Sequence, residues 1–420
     1  MYTTTIGKTF LKAYNEKFGK EYTAKTFFEE IFIPLFFDHP KYMMTGGNSP
    51  LENPKLSWED MIKGKKTFET PEQRKERIGK MIHKIETEKA DASIAIGYGV
   101  ADYVAATSGQ ITNIDLPDCK EDIYFSWMGA ALGIGVSGGI TILFNHEQLL
   151  LDIYEGWRYY RQYLEKIPFM KGNQINTWNG QWIVHRYHDV YYDASDPLLG
   201  ITYTNTPAGV FNFSTITWVT VLLRIATHFP LDILLGYLYS IGQTNTTIGF
   251  IPFNLSEITR PDHFYKKLFG TSEYQKNHSK MEQLYGTAMG LRVACRSGAI
   301  GIQAMEPKGL QVFLPQGQKT KKIVYKEDEE QIITFNTYLI WILAMLNNEK
   351  LWNFSRQFAE LLLNYEAGAG KAKKDRINRV DQLLGSTSSK QFLLNLIPIV
   401  EEEVEVILRR SAAVHRRMTF

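Results

Sequence analysis

Between Phe125 and Phe144 the chain reads FSWMGAALGIGVSGGITILF, twenty residues without a formal charge. Gly129, Gly133, Gly135, Gly138 and Gly139 sit among small and branched apolar side chains. Glycine lets a neighbouring backbone approach closely, and the β-branched, aromatic close from Ile140 to Phe144 has the composition of a buried strand. The stretch predicts a glycine-rich sheet core in the middle of a domain.

Two sharper readings compete with that one. A bilayer span needs about 20 apolar residues, and the small-xxx-small spacing of Gly129 with Gly133 and Gly135 with Gly139 suits helix pairs in lipid. Acidic flanks (Glu121, Asp122, Glu147) and the lack of basic bias argue against a span. Gly133, Gly135 and Gly138 also satisfy GxGxxG, but a strand-like run follows where a dinucleotide fold requires a helix. A kinase loop lies between strands, yet the next strand carries no lysine and the chain has no DFG. Packing glycines remain the reading of choice.

The chain is long enough, at 420 residues and 44% apolar, to bury a large core in two or three domains. A net charge of +2 means that any nucleic-acid partner is held by local basic patches and not by a global field. The first twenty residues carry no continuous apolar signal segment, and Cys119 and Cys295 are too few for a disulfide framework or a cysteine zinc site. A cytoplasmic protein without a membrane partner is expected.

Residues 8 to 37 have helical apolar spacing, with Thr23 as a cap for the second helix and Pro34 and Pro40 bounding its end. YMMTGGNSPLENP follows, a turn-rich connector that would also suit a loop approaching a ligand through Asn48 and Ser49. From Lys63 to Lys89, Arg74, Lys75, Arg77, Lys80 and Lys84 alternate with acids as on a solvated helix or a phosphate-tracking one. Leu149 to Tyr163 reads as an amphipathic helix.

KGNQINTWNGQWIVHR, Lys171 to Arg186, has an unusual composition. Asn173, Gln174, Asn176, Asn179 and Gln181 stand among Trp178 and Trp182, with Lys171 and Arg186 at the ends. Amides read base edges, indoles stack on bases and cations hold phosphates, which makes this a candidate nucleic-acid segment. A polar hairpin or turn with core tryptophans is the other reading. An apolar, helix-like run begins at Leu231 and leads to a second polar cluster, Gln243, Thr244, Asn245 and Thr246, before an expected strand from Ile248 to Phe253.

Two constellations bear on catalysis. His185, His188, Asp189, Asp193 and Asp196 supply donor types for a divalent metal without a zinc-protease helical motif behind them. Asp262, Glu306 and Lys308 match the acid and ExK of PD-(D/E)xK nucleases, in which carboxylates hold Mg²⁺ and lysine orients water. Ala299 to Met305 would then be the delivering strand. Against this, 43 residues separate Asp262 from Glu306, and Pro307 disfavours regular pairing. No cofactor is expected unless this alternative holds, when Mg²⁺ is.

Lys319 to Glu330 is a charged hairpin or linker and divides the chain into residues 1–330, with a subdivision near 90, and residues 331–420. Beyond it, Phe335 to Tyr365 is long and periodic, Lys371 to Leu384 is a basic helix bearing Lys373, Lys374, Arg376 and Arg379, and Ser389 to Arg410 is amphipathic with Pro398 inside. The fold class is α+β, an irregular mixed N-terminal and central region around the glycine-rich sheet with a C-terminal helical bundle.

That layout, with the stretch KKDRINRVDQLLGSTSSKQFLLNLIPIVEE, resembles the large subunit of type I CRISPR effector (Cascade) complexes over about a quarter of the chain. The resemblance implies a non-catalytic role: inspecting a short motif beside a double-stranded DNA target, helping to open the duplex and steering strands with the bundle. It implies guide RNA and other effector subunits as partners. A non-catalytic scaffold remains the further alternative.

Overall fold

The computed structural model describes residues 1–43, 58–91, 94, 98, 119–188, 191–229, 231–240, 246–314, 328–368 and 373–418. Helices and strands follow in the order α1 (Tyr2–Phe18), α2 (Ala24–Phe27), α3 (Ile33–Phe36), α4 (Trp58–Ile62), α5 (Pro71–Thr87), α6 (Lys120–Ala131), β1 (Ile134–Val136) and β2 (Ile140–Phe144). Next are α7 (Glu147–Lys166), α8 (Ile175–Arg186), β3 (Thr204–Asn205), β4 (Phe211–Asn212), α9 (Trp218–His228), β5 (Ile233–Ser240), β6 (Thr246–Asn254) and α10 (Leu255–Ile258). Then come α11 (Arg260–Phe269), α12 (Thr271–Leu284), β7 (Tyr285–Thr287), α13 (Leu291–Ala294) and β8 (Met305–Pro307). The chain closes with α14 (Glu329–Met345), α15 (Lys350–Ala367), α16 (Lys373–Leu384) and α17 (Ser389–Met418). It is an α+β chain with a small antiparallel sheet and a helical C-terminal region. It divides into two compact units, Met1–Thr259 with Thr287–Met305, and Arg260–Gly286 with Glu306–Phe420.

The charge-free stretch builds the centre of the first unit in three pieces. Its N-terminal third is helical, and Gly129 there serves a helix crossing and not a sheet. A Cβ on Gly129 would lie 1.8 Å from the Thr3 carbonyl, and one on Gly7 would lie 2.0 Å from the Phe125 carbonyl, so α1 and α6 touch backbone to backbone. Thr3 and Ser126 share a buried 2.7 Å hydroxyl bond at the same crossing. Gly138 and Gly139, at φ 97° and 68°, make the tight turn from β1 to β2, conformations that side chains resist.

The sheet has the order β1-β2-β5-β6 with every neighbour antiparallel. All of β2 is buried, which accounts for its uninterrupted apolar sequence. The run from Leu231 is a strand and not a helix. Leu234 and Leu238 face the core while Ile233 and Leu235 are exposed, so the side chains alternate with period two. Helix α8 lies on β1, where Gly180 comes so close that its Cβ would be 2.8 Å from the Gly135 carbonyl.

Thr23 caps α2 as expected, its hydroxyl accepting from Thr26 N–H while the Thr26 hydroxyl accepts in return. Pro34 does not end that helix. A π-helical turn, Phe28–Phe32, passes into α3, with Ile33 N–H donating to the Phe28 carbonyl just before the proline that lacks a donor.

In the second unit α14 lies against α11 and α12, held by Arg260 donating to the Ala344 carbonyl (2.9 Å) and by the pair Lys276–Glu329, while Lys267 of α11 pairs with Glu349 at the start of α15. The long periodic run expected from Phe335 to Tyr365 is two helices. It breaks after Met345, where Asn347 takes φ 47°. Helices α15, α16 and α17 share a small core of Leu362, Tyr365, Val380, Leu383 and Ile399, flanked by Phe358, Phe392 and Leu396. Pro398 sits inside α17 without ending it. Among the described residues no helix is long and apolar enough to cross a membrane.

Candidate nucleic-acid interface

The segment from Lys171 to Arg186 becomes α8 after one turn, and its polar groups point largely into the protein. Trp178 and Trp182 are fully buried and donate their indole N–H groups to the Gly156 and Asp152 carbonyls at 2.7 and 2.6 Å. Neither therefore has a free face for a base, which corrects the stacking role expected of them. Asn179 is also fully buried. It donates to the Ala131 and Gly133 carbonyls at 2.8 Å each and accepts from Trp157 Nε1 at 3.2 Å, tying α7, α8 and the end of α6 together.

The neighbouring amides are committed in the same way. Gln174 exchanges two hydrogen bonds with the Phe213 backbone, and Gln181 donates to the Ser214 carbonyl at 2.6 Å. Asn176 donates to Thr141 Oγ1 at 3.3 Å. Lys171 pairs with Glu59 at 3.0 Å, and Arg186 lies 3.4 Å from Glu155 with its guanidinium over the Tyr192 ring. Of the expected residues in this segment, Asn173 is the exposed one. Asn48, Ser49, Gln243, Thr244 and Asn245 lie outside the described residues, and Thr246 enters β6 opposite Ser240.

The catalytic alternatives come apart into local structure. Asp262 stands on helix α11 and not on a strand, and its charge helps burial to raise the Tyr285 hydroxyl far above its ordinary value. Glu306 is on the short strand β8 and accepts from Gln311 Nε2 at 2.9 and 3.0 Å, while Lys308 Nζ donates to the Gln283 carbonyl at 2.9 Å. The expected strand from Ala299 contains a 3₁₀ turn at Ile302–Ala304. His185 is held below its ordinary pKa by burial and lies 3.0 Å from the Pro197 carbonyl, and Asp193 closes a local turn with Ser195. Asp189 lies outside the described residues. Among those residues no group of three or more His, Cys, Asp and Glu side chains is placed to hold a metal ion.

On α16 the four expected cations divide into two pairs. Arg376 and Arg379 turn inward to Glu402, at 3.5 and 2.5 Å, and Tyr365 donates to the same carboxylate at 2.7 Å. The Tyr365 hydrogen bond, then the two guanidiniums, hold Glu402 below the usual carboxylate range. Lys373 and Lys374 are exposed at the start of the helix. Arg292 and Arg296 of the first unit are exposed as well, one turn apart between Gly290 and Gly298. Their four-residue spacing was visible, but nothing local distinguishes it from an ordinary wet turn.

The C-terminal helices also expose apolar side chains in a way the sequence reading missed. Phe354 is 72% exposed, Leu361 66% and Leu384 68%, and Leu393, Leu394, Ile397, Val400 and Val404 are all about half open to water. Comparison with known protein families, curated proteins and solved structures gave no match.

Proposed function

We propose that the chain is a non-catalytic, nucleic-acid-contacting subunit of a larger assembly, of the kind its sequence resembles: an RNA-guided effector complex acting on double-stranded DNA. One observation carries the reading. Helices α15 to α17 bury five residues in their common core and leave a greater number of apolar side chains exposed, among them Phe354, Leu361, Leu384, Leu393, Ile397 and Val400. Contiguous apolar surface of this sort marks a site covered by another macromolecule. Lys373 and Lys374, and separately Arg292 and Arg296, supply exposed charge for phosphates, contacts that position a nucleic acid without reading its sequence. Motif reading then falls to Asn173 and to the segments holding Asn48, Ser49 and Gln243 to Thr246, because the α8 amides are already engaged.

The test is to isolate the native assembly through a tag on this chain and to characterise what accompanies it. A discrete short RNA with stoichiometric protein partners supports the reading. A chain that purifies alone and without RNA contradicts it. Within the assembly, Lys373→Glu with Lys374→Glu should weaken DNA retention about three- to tenfold and lower the steepness of its salt dependence.

A further inference from the structure

Helix α17 carries two apolar stripes. Phe392, Leu396 and Ile399 turn into the core shared with α15 and α16. One position along, Leu393, Ile397, Val400 and Val404 recur at intervals of four, three and four residues, each between 48% and 59% exposed. That spacing is the a/d pattern of a coiled-coil seam, and it extends for roughly 16 Å at the α-helical rise. With Ile397 and Val404 at a, and Leu393 and Val400 at d, Glu401 falls at e and Glu403 at g. Both carboxylates are exposed and border the C-terminal half of the stripe.

We infer that this seam docks one amphipathic helix of a partner protein, apolar at its own a and d positions and bearing Lys or Arg where it faces Glu401 and Glu403. The inference rests on the assembly reading above and adds the chemistry of the partner. Charge decides between occupants. A second copy paired antiparallel over this stripe sets Glu401 beside Leu394 of the other chain, and a parallel copy turns Glu401 toward the face where Leu396 is already packed into its own core. Either arrangement leaves a carboxylate against leucine without a cation, whereas a basic helix supplies one at each flank. An anionic lipid surface is disfavoured by the same glutamates.

The probe is a pair of labelled helical peptides with identical leucine and isoleucine seams, one flanked by lysine and the other by glutamate. Each is titrated by fluorescence anisotropy against the full chain at low salt. The lysine peptide should bind at least tenfold more tightly. Ile397→Asp and Val400→Asp should each remove that binding with the circular dichroism spectrum unchanged, and Glu401→Lys with Glu403→Lys should reverse the preference toward the glutamate peptide. Equal binding of the two peptides overturns the inference, as does binding indifferent to Ile397→Asp. Sedimentation of the chain as a dimer that Ile397→Asp splits overturns it in favour of a second copy. An RNA-containing assembly that forms normally with Ile397→Asp refutes the seam and spares the assembly reading. Lysine-selective, Ile397-dependent binding by a chain that never co-purifies with RNA supports the seam and refutes that reading.

Discussion

Helix α8 and helix α17 each mix apolar and polar residues, and they use them in opposite ways. In α8 the amides and indoles are consumed by internal hydrogen bonds, so a sequence that looks like a recognition surface is the hub of a core. In α17 the apolar residues outnumber what the local core can cover, so a sequence that looks like an ordinary bundle helix presents a seam to water. The contrast teaches that polarity does not locate a functional surface. What matters is whether each group finds its partner within the fold. A buried amide with three partners is structural, and an exposed leucine stripe with none points outside the chain.

The most damaging way to break the α8 side of the comparison is Asn179→Leu. It leaves the Ala131 and Gly133 carbonyls and the Trp157 indole N–H without their partners, and should cost roughly 4 kcal/mol, summed from buried groups at about 1–3 each. Denaturant unfolding followed by tryptophan fluorescence reads this directly. Gly129→Ala comes next. Its methyl group would meet the Thr3 carbonyl, and forcing α1 from α6 should cost about 3 kcal/mol, seen as a lower midpoint of thermal unfolding.

Acid should loosen the two units at different groups. Burial, and then the charges of Arg161 and Lys41, pull His39 down to about 4. An unfolded histidine titrates at about 6.5, so as pH falls the unfolded chain takes up the proton first. The contribution of His39 is complete above that value and is lost progressively down to its folded value. Its partial exposure limits the loss between neutrality and about pH 4.5 to about 1–2 kcal/mol, and His39→Gln should flatten the profile there. Glu402 acts lower on the scale. Its depressed carboxyl contributes stability above the ordinary glutamate range, and that stability disappears as pH falls through the folded value. Glu402→Gln should weaken α15–α17 by about 1–2 kcal/mol at neutral pH, measured by amide exchange in those helices. The smallest effect on stability is expected from Ile397→Asp, within about 0.5 kcal/mol because the side chain is already half exposed, although it should abolish docking.

Much of the fold was legible where the signal is local. The β2 strand, the Thr23 cap and the amphipathic α7 all follow from near neighbours in sequence. The failures share a cause. Gly129 reads as a sheet glycine because its partner Thr3 lies more than a hundred residues away, and the α8 amides read as exposed because they bond to carbonyls at 131, 133, 213 and 214. The strand from Ile233 reads as helix because both of its faces are apolar, which hides the period of two. For α17 the four-three-four spacing was readable throughout. Its exposure was not, since that depends on how much of the helix α15 and α16 can cover.

The most direct test of the contrast is hydrogen–deuterium exchange of the chain alone and in the complex it is proposed to form. The account predicts that α8 is strongly protected in both states, and that α15 to α17 exchange quickly in the isolated chain and gain protection, centred on residues 393–404, on assembly. Equal and high protection of α17 in the two states would contradict it, because a helix already stable and covered by its own chain needs no partner on that face.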